Sequence, residues 1–307
     1  MSGFLDELGR KLAERWLTLL VLPGLVYLAC LTVALTLRHE HALDVGRLAG
    51  AIDRLAARPA ASTSAALLLT VTGVLAAAAA AGFAAGGLGR LTERVWTAEG
   101  RRWPARLLTK RRRKGWDAAD ADVQTQIKAA VRAQAGVPAD GPVPDVAAAI
   151  AARDAIGLVP PRRPTWIGDR LRAADQRVHT AYDLDLTGAW PRLWLLVPDA
   201  ARTELIVARD AYVAAARLVG WALLYLLVAW WWWPALPVAL ALAVTGWIRA
   251  RDTVVVLADL IEAIVDLYGR DLATQLGVPA SGPLSRETGL AISTTLRKDP
   301  ETHHPAS

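Results

Sequence analysis

Val228-Ala229-Trp230-Trp231-Trp232-Trp233-Pro234-Ala235-Leu236-Pro237-Val238 lies in the middle of a block, Leu218 to Ile248, whose 31 consecutive residues include no Asp, Glu, Lys or Arg. Read as one helix, the block is about 46 Å long at about 1.5 Å per residue, and it places four tryptophans and two prolines near the centre of a bilayer. Tryptophan prefers the membrane–water interface, and a proline inside a helix removes a backbone hydrogen bond that hydrocarbon cannot replace. Folding the block at Trp233-Pro234-Ala235-Leu236-Pro237 moves the indoles to an interfacial belt and gives two spans, Val213 to Trp232 and Leu236 to Ile248. Arg217 at one end and Arg249 and Arg251 at the other then face the same side, as the positive-inside rule requires. The second span is short and needs snorkelling arginines or local thinning. A single crossing is the alternative.

Two further charge-free blocks run from Trp16 to Leu37 (22 residues) and from Pro59 to Gly89 (31 residues), each long enough for a hydrocarbon core of about 30 Å. The chain has 307 residues, of which 54% are hydrophobic and 21% charged, with a mean hydropathy of +0.28. Segregation of this kind excludes an ordinary soluble enzyme, and the single cysteine, Cys30, excludes a disulfide scaffold. The first block exceeds the apolar length of a signal peptide and ends without a small-residue cleavage site, so it reads as a retained span. Before it, Phe4, Leu5, Leu8, Leu12 and Trp16 alternate with charges at helical spacing and describe an interfacial amphipathic helix with Ser2 as its N-cap. In the second block Gly82 and Gly86 stand one turn apart on a smooth face. That face suits a dimerisation seam or contact with another helix of the same chain.

The expected fold is therefore all-α: a polytopic membrane protein with four transmembrane helices and a helical cytoplasmic region. Its parts are an interfacial helix and first span (1–37), an external loop (38–63), a second span (64–89), a basic cytoplasmic region (90–212), a transmembrane hairpin (213–249), an amphipathic cytoplasmic helix (250–278) and a disordered tail (279–307). Charge orients it. Arg90 to Arg217 carries a net +7, whereas Arg38 to Arg58 carries +1 and the residues after Ile248 carry −2. The middle segment is thus the cytoplasmic one, with both termini on the same side.

That excess is concentrated in Arg101-Arg102-Trp103-Pro104-Ala105-Arg106-Leu107-Leu108-Thr109-Lys110-Arg111-Arg112-Arg113-Lys114, which contains no acidic residue. Such a run fixes topology, and next to a span it also attracts anionic lipid at about 1 kcal/mol per charge. Arginine interleaved with tryptophan suits nucleic acid as well, which we place last and do not expect as a partner. Beyond it, Asp117 to Ala135 reads as a helix, Val137 to Pro144 as a loop and Asp145 to Ile156 as a second helix ending at Gly157.

The most distinctive segment follows: Pro164-Thr165-Trp166-Ile167-Gly168-Asp169-Arg170-Leu171-Arg172-Ala173-Ala174-Asp175, then Tyr182-Asp183-Leu184-Asp185 and Trp190-Pro191-Arg192-Leu193. Together with Asp266-Leu267-Tyr268-Gly269-Arg270-Asp271-Leu272, and Leu12 to Trp16 with Leu22-Pro23-Gly24-Leu25, it resembles a group of uncharacterised bacterial multi-span membrane proteins. That group carries Pro-Thr-x-aliphatic-Gly-Asn/Asp-x-Leu-Arg-Ala-Ala, then Tyr-Gly-x-Asp and Trp-Pro-Arg-Leu. Asp183 stands where glycine is usual there, and Val265 where phenylalanine is. The resemblance covers most of the chain except residues 38–60, 100–160 and the tail, and it implies a membrane location without naming an activity.

The residues of the segment have a packing account. Gly168 permits close approach, Leu171, Ala174 and Val178 form an apolar stripe, and Arg170, Arg172 and Arg177 lie at helical pairing distance from Asp169 and Asp175. Trp190, Trp194 and Leu195 would pack the segment on the membrane or the next helix. A metal held by Asp169, Asp175, His179 and Asp185 is conceivable, but no His–Cys spacing supports it, and neither His39-Glu40-His41 nor His303-His304 has the spacing of a zinc motif. No Gly-rich phosphate loop is present and no cofactor is expected. The amphipathic helix after Arg251 is acidic and suits packing on the basic region. The sequence therefore favours a non-enzymatic anchor, adaptor or regulatory protein, with membrane lipids, a cytoplasmic protein or a second copy as partners. An oligomeric pore or transporter component is the alternative, weakened because the charge-free blocks contain no ionisable Asp, Glu, Lys, Arg or His.

Overall fold

A computed structural model describes residues 21–56, 64–100, 103–136 and 143–297. These form helices and turns, with no strand among the described residues. In chain order the helices are α1 (Leu22–Leu37), α2 (Val45–Ala56), α3 (Ser64–Thr97), α4 (Ala105–Gln134), α5 (Val146–Ile156), α6 (Trp166–Tyr182), α7 (Leu186–Leu196), α8 (Asp199–Ala229), α9 (Ala235–Gln275) and α10 (Arg286–Arg297). The interfacial helix expected before Trp16, the start of the first span, Arg101, Arg102, residues 137–142 and residues 298–307 lie outside the described residues. The chain divides into two compact units, Met1–Glu93 with Val213–Arg249, and Arg94–Tyr212 with Ala250–Ser307.

Among the described residues two helices are long and apolar enough to cross a membrane, Ala65–Thr97 and Asp199–Ala229, where the sequence led us to expect four. The described part of α1 has 16 residues, and the apolar start of α9 is interrupted by Arg249 and Arg251. The Trp-Pro stretch does fold back: α8 stops at Ala229 and α9 starts at Ala235. Trp231 N donates to Val228 O at 3.0 Å and Leu236 N to Trp233 O at 2.9 Å. Pro237 falls in the first turn of α9, where its missing N–H removes no intrahelical bond. The turn is tied to the segment after α1, with His39 Nε2 bonded to the Trp230 carbonyl at 2.7 Å and Trp232 Nε1 donating to Ala42 O at 2.9 Å. The 38–63 segment is not wholly a loop, because α2 occupies part of it. Asp44 starts that helix by accepting from Arg47 N at 2.9 Å.

Small residues set the spacing of these helices. α3 buries Ala78, Gly82, Ala85, Gly89 and Thr92, steps of four and three that keep one seam facing its neighbours. A Cβ on Gly24 of α1 would strike the Ala78 backbone, one on Gly220 of α8 would strike the Ala85 carbonyl oxygen, and one on Gly89 would lie 3.0 Å from the Arg217 Cα. The seam is thus an intrachain contact. Gly82 belongs to it, whereas Gly86 has open space where a side chain would stand.

In the second unit the basic run is helical. α4 begins at Ala105 rather than at Asp117, because Lys and Arg are good helix formers and Gly115 does not interrupt it. α5 follows its expected bounds, with Asp145 accepting from Ala148 N at 2.8 Å and Gly157 at its end. The amphipathic segment after Arg251 is not a separate helix: it continues α9 as 41 unbroken residues. Gly277, at φ +72°, ends it, and Val278 N closes the last turn on Ala273 O at 2.9 Å.

The tail requires a correction. Within residues 279–307, expected to be disordered, α10 is folded. Ser285 caps its start, accepting from Thr288 N at 3.2 Å, and Ile292 is buried with Val178, Leu186, Leu193 and Leu272 in the main core. The Asp, Glu, Pro and Ser around it mask a short apolar face made by Ile292 and Leu296. Leu195, placed by the sequence at a packing surface, is 74% exposed, while Trp190 and Trp194 do pack, against Val197, Leu205 and Leu257.

These close approaches give a paired prediction. Alanine is favoured over glycine in a helix by about 1 kcal/mol, so Gly86→Ala should raise the thermal unfolding midpoint in detergent. Gly220→Ala should lower it, because overpacking of about 1–3 kcal/mol outweighs that gain. Equal shifts for the two variants would show that the seam is not close-packed.

Candidate functional site: a buried carboxylate beside a basic cavity

α6 begins where Thr165, in extended conformation, accepts from Gly168 N at 3.1 Å. The Thr165 hydroxyl in turn donates to the Trp96 carbonyl. A Cβ on Gly168 would lie 2.5 Å from that same carbonyl oxygen, so glycine is needed where the helix start meets the end of α3. Asp169 follows, 2% exposed. Its Oδ1 accepts from Arg162 N and Arg163 N, both at 2.9 Å, and its Oδ2 pairs with Arg112 of α4. Arg112 also donates to Arg163 O at 2.9 Å and to Ile156 O at 2.8 Å. Arg163 completes the connection by donating to Thr97 O at 2.5 Å. A buried charge costs several kcal/mol unless it is paired and hydrogen-bonded, and Asp169 has both forms of support.

The neighbouring cations face other partners. Arg170, 6% exposed, pairs with Asp259 and Glu262 of α9, and Arg177 reaches Glu262 at 3.3 Å. Arg251 lies over the Trp166 ring at 4.4 Å. The acidic face of α9 thus meets the basic region, as its charge suggested. Of the pairings expected within α6, Arg172 with Asp169 forms, at 3.5 Å. Burial pushes the Arg172 guanidinium below its ordinary value, Asp169 opposes that shift, and Arg162 and Arg163 add to it.

The remaining motif residues make local capping and packing contacts. Asp185 caps α7, accepting from Gly188 N at 3.3 Å, and its own N–H donates to Ser293 of α10 at 2.8 Å. Trp190 packs against the core, Pro191 lies inside α7, and Arg192 donates to Gly188 O at 2.9 Å. Asp169, Asp175, His179 and Asp185 are not drawn together, and no three His, Cys, Asp or Glu among the described residues form a metal-binding group. His179 lies 3.7 Å from Asp183 instead.

Beside this hub is an open cavity of about 650 Å³, lined by Glu99, Gly100, Thr109, Lys110, Arg113, Lys114, Asp117, Pro161, Arg162, Arg163 and Arg172. The basic run therefore divides by face. Lys110, Arg113 and Lys114 reach the cavity, Arg112 turns inward to Asp169, and Arg111 and Trp103 are exposed. The contribution of Arg162 and Arg163 was missed from the sequence. Its one local signal was the pair of arginines held between prolines in Pro160-Pro161-Arg162-Arg163-Pro164. Comparison of the chain with protein-family models, with curated proteins and with solved structures finds no match.

Removing the Asp169 side chain would strand Arg112 and two backbone N–H groups. Asp169→Ala should cost about 3–5 kcal/mol, read as a fall in the urea midpoint, and Asp169→Asn, which keeps one acceptor, should cost less. Alanine and asparagine variants as stable as the parent would remove the carboxylate from this role.

A second outcome concerns pH. Tyr182 donates to Asp266 Oδ1 at 2.8 Å, and that bond, with burial and the Asp266 charge behind it, raises the phenol above its ordinary value. A raised pKa stabilises the fold below the unfolded value of about 10, and the contribution is lost as pH climbs through the folded value. Tyr182→Phe should therefore lose less stability than the parent above about pH 10.

Proposed function

We propose that the protein is a multi-pass anchor in a bacterial cell membrane whose second unit serves as a cytoplasmic adaptor or regulatory module and works by binding rather than by catalysis. The observation that carries this reading is the bare surface of α3. Residues 67–77 are all exposed and none is charged, with Leu68 at 69% and Leu69 at 75% exposure. An uncovered apolar surface of that extent suits lipid rather than water. α3 is about 51 Å long at about 1.5 Å per residue, well beyond a hydrocarbon core of about 30 Å, so its charged end from Arg90 onward projects past the bilayer.

In this reading α1, α3, α8 and the apolar start of α9 make four crossings. The bonds from His39 and Trp232 across to Trp230 and Ala42 support a common, external side for the Trp turn and residues 38–63. The ten basic residues between Arg90 and Lys114, against two acidic ones, favour the cytoplasm for residues 90–212. The resemblance read from the sequence motifs implies the same location. A binding role is favoured because the ionisable groups of the hub engage one another: Asp169 with Arg112, and Arg170 with Asp259 and Glu262. Anionic lipid, a cytoplasmic protein, or a second copy against the open Gly86 face are the partners this surface suits.

Topology can be tested in a Cys30→Ser background. Ala49→Cys should label from outside intact cells and Ala129→Cys should not; labelling of Ala129→Cys would overturn the arrangement. The adaptor reading adds that a photo-crosslinker at Val131, 59% exposed on α4, should capture the same cytoplasmic protein in repeated purifications. Capture of the chain itself alone would replace that reading with an oligomeric one.

A further inference from the structure

We propose that the cavity formed by Lys110, Arg113 and Lys114 of α4, by Arg162 and Arg163, and by Arg172 of α6 is a binding site for a phosphorylated anion, the size of a phospholipid head group or a small phosphate ester. Six cations and two carboxylates, Glu99 and Asp117, line it, leaving an excess of four positive charges. Its volume of about 650 Å³ lies within the range of about 300–1,000 Å³ typical of small-ligand sites.

The fold itself does not account for this collection of charge. Lys110, Arg113 and Lys114 stand at i, i+3 and i+4 on one helix, where like charges are destabilising by a few tenths of a kcal/mol per pair. Arg113 has a long contact with Asp117, at 3.8 Å. Lys110, Lys114 and the Arg162 guanidinium engage no partner among the described residues. The cations that hold the unit together, Arg112 and Arg170, point elsewhere and are paired. Repulsion from Arg162 and Arg163 also contributes to the lowered pKa of Arg172, a strain that a bound anion would relieve.

The site is also preorganised. Asp169 holds the backbone of Arg162 and Arg163, and through Arg112 it holds the helix that carries the other three cations. Arg172 is fixed by Gln176 Oε1 at 2.5 Å and Pro160 O at 2.7 Å. An anion entering therefore meets charges already in place, which lowers the entropic cost of binding. Phosphate is the best match because its several oxygens can accept from both arginine and lysine donors, in charge-assisted bonds stronger than neutral ones.

The test uses the full chain in a neutral detergent, titrated with inorganic pyrophosphate in a calorimeter at fixed salt. One saturable site is expected. Lys110→Gln/Lys114→Gln should weaken it at least about tenfold, the loss of one charge-assisted bond or more. Arg106→Gln/Arg111→Gln removes the same charge from the same helix outside the cavity and should change affinity less than about twofold if binding is local rather than diffuse. Equal weakening by both pairs, or no saturable binding by the parent, would overturn the proposal. The variants' melting curves establish that they are folded, and Lys114→Gln alone replaces the cavity pair if it is not. Nanodiscs then distinguish the source. Displacement of pyrophosphate by phosphatidic acid discs but not by phosphatidylcholine discs assigns the site to a lipid head group, and retention in both assigns it to a soluble phosphate ester. Because binding is read in detergent, a failure of the proposed topology leaves this result untouched.

Discussion

A carboxylate withdrawn from water, Asp169, is the constraint on which the second unit depends. Its two oxygens are satisfied by donors from separate parts of the chain: the backbone of Arg162 and Arg163, and the side chain of Arg112. Satisfying one group thereby fixes the Pro-Arg segment against α6 and α4 against both. Arg112 extends the connection, since it bonds the Arg163 and Ile156 carbonyls as well. The end of α5 is drawn into the same junction. Each of these bonds involves a charged group and contributes about 1.5–3 kcal/mol in net terms. Leaving any one unmade in a buried site costs more, and this asymmetry makes the geometry specific.

The residues flanking Asp169 extend that logic. Successive positions on a helix point about 100° apart, so Gly168, Asp169 and Arg170 address three different neighbours. Gly168 admits the Trp96 carbonyl, Asp169 takes Arg112, and Arg170 takes Asp259 and Glu262. The end of α3, α4 and α9 are all joined at one turn of α6. In the first unit the equivalent constraint is steric rather than electrostatic. Gly24, Gly89 and Gly220 allow backbone-to-backbone approach, and adding a Cβ to Gly24 or Gly220 requires a helix to shift.

What the sequence made legible was local. Prolines at 234 and 237 forecast the turn between α8 and α9, Asp145 and Gly157 marked both ends of α5, and Gly277 marked the end of α9. Each signal acts within a few residues of itself. The errors came where the deciding partner is distant. The start of α4 was masked by a run of like charges, whose inward member, Arg112, is compensated 57 residues away. The helix at 286–297 was masked by its polar surroundings, because Ile292 finds its core on α6, α7 and α9. The seam on α3 was sought in a Gly82–Gly86 pair one turn apart. The observed spacing alternates four and three, which passes over Gly86 and selects Gly89. Gly168, Asp169 and Arg172 share the first two turns of α6, and Asp169 meets Arg172 at 3.5 Å, but the pairing of Asp169 with a basic residue of α4 has no local signature.

In the proposed arrangement the basic run combines two kinds of information. For membrane insertion only the sum of charges near the end of a span matters, and any order of the same lysines and arginines would serve. Folding the run into α4 makes order matter. Arg112 turns toward a buried carboxylate, Lys110, Arg113 and Lys114 gather on the cavity face, and Arg111 faces outward. A topology signal alone would not need arginines from a second segment to meet this face. Arg162 and Arg163 do meet it, and the buried carboxylate holds them there. The placement of charge in the second unit is therefore specified position by position, beyond what orientation in a membrane requires.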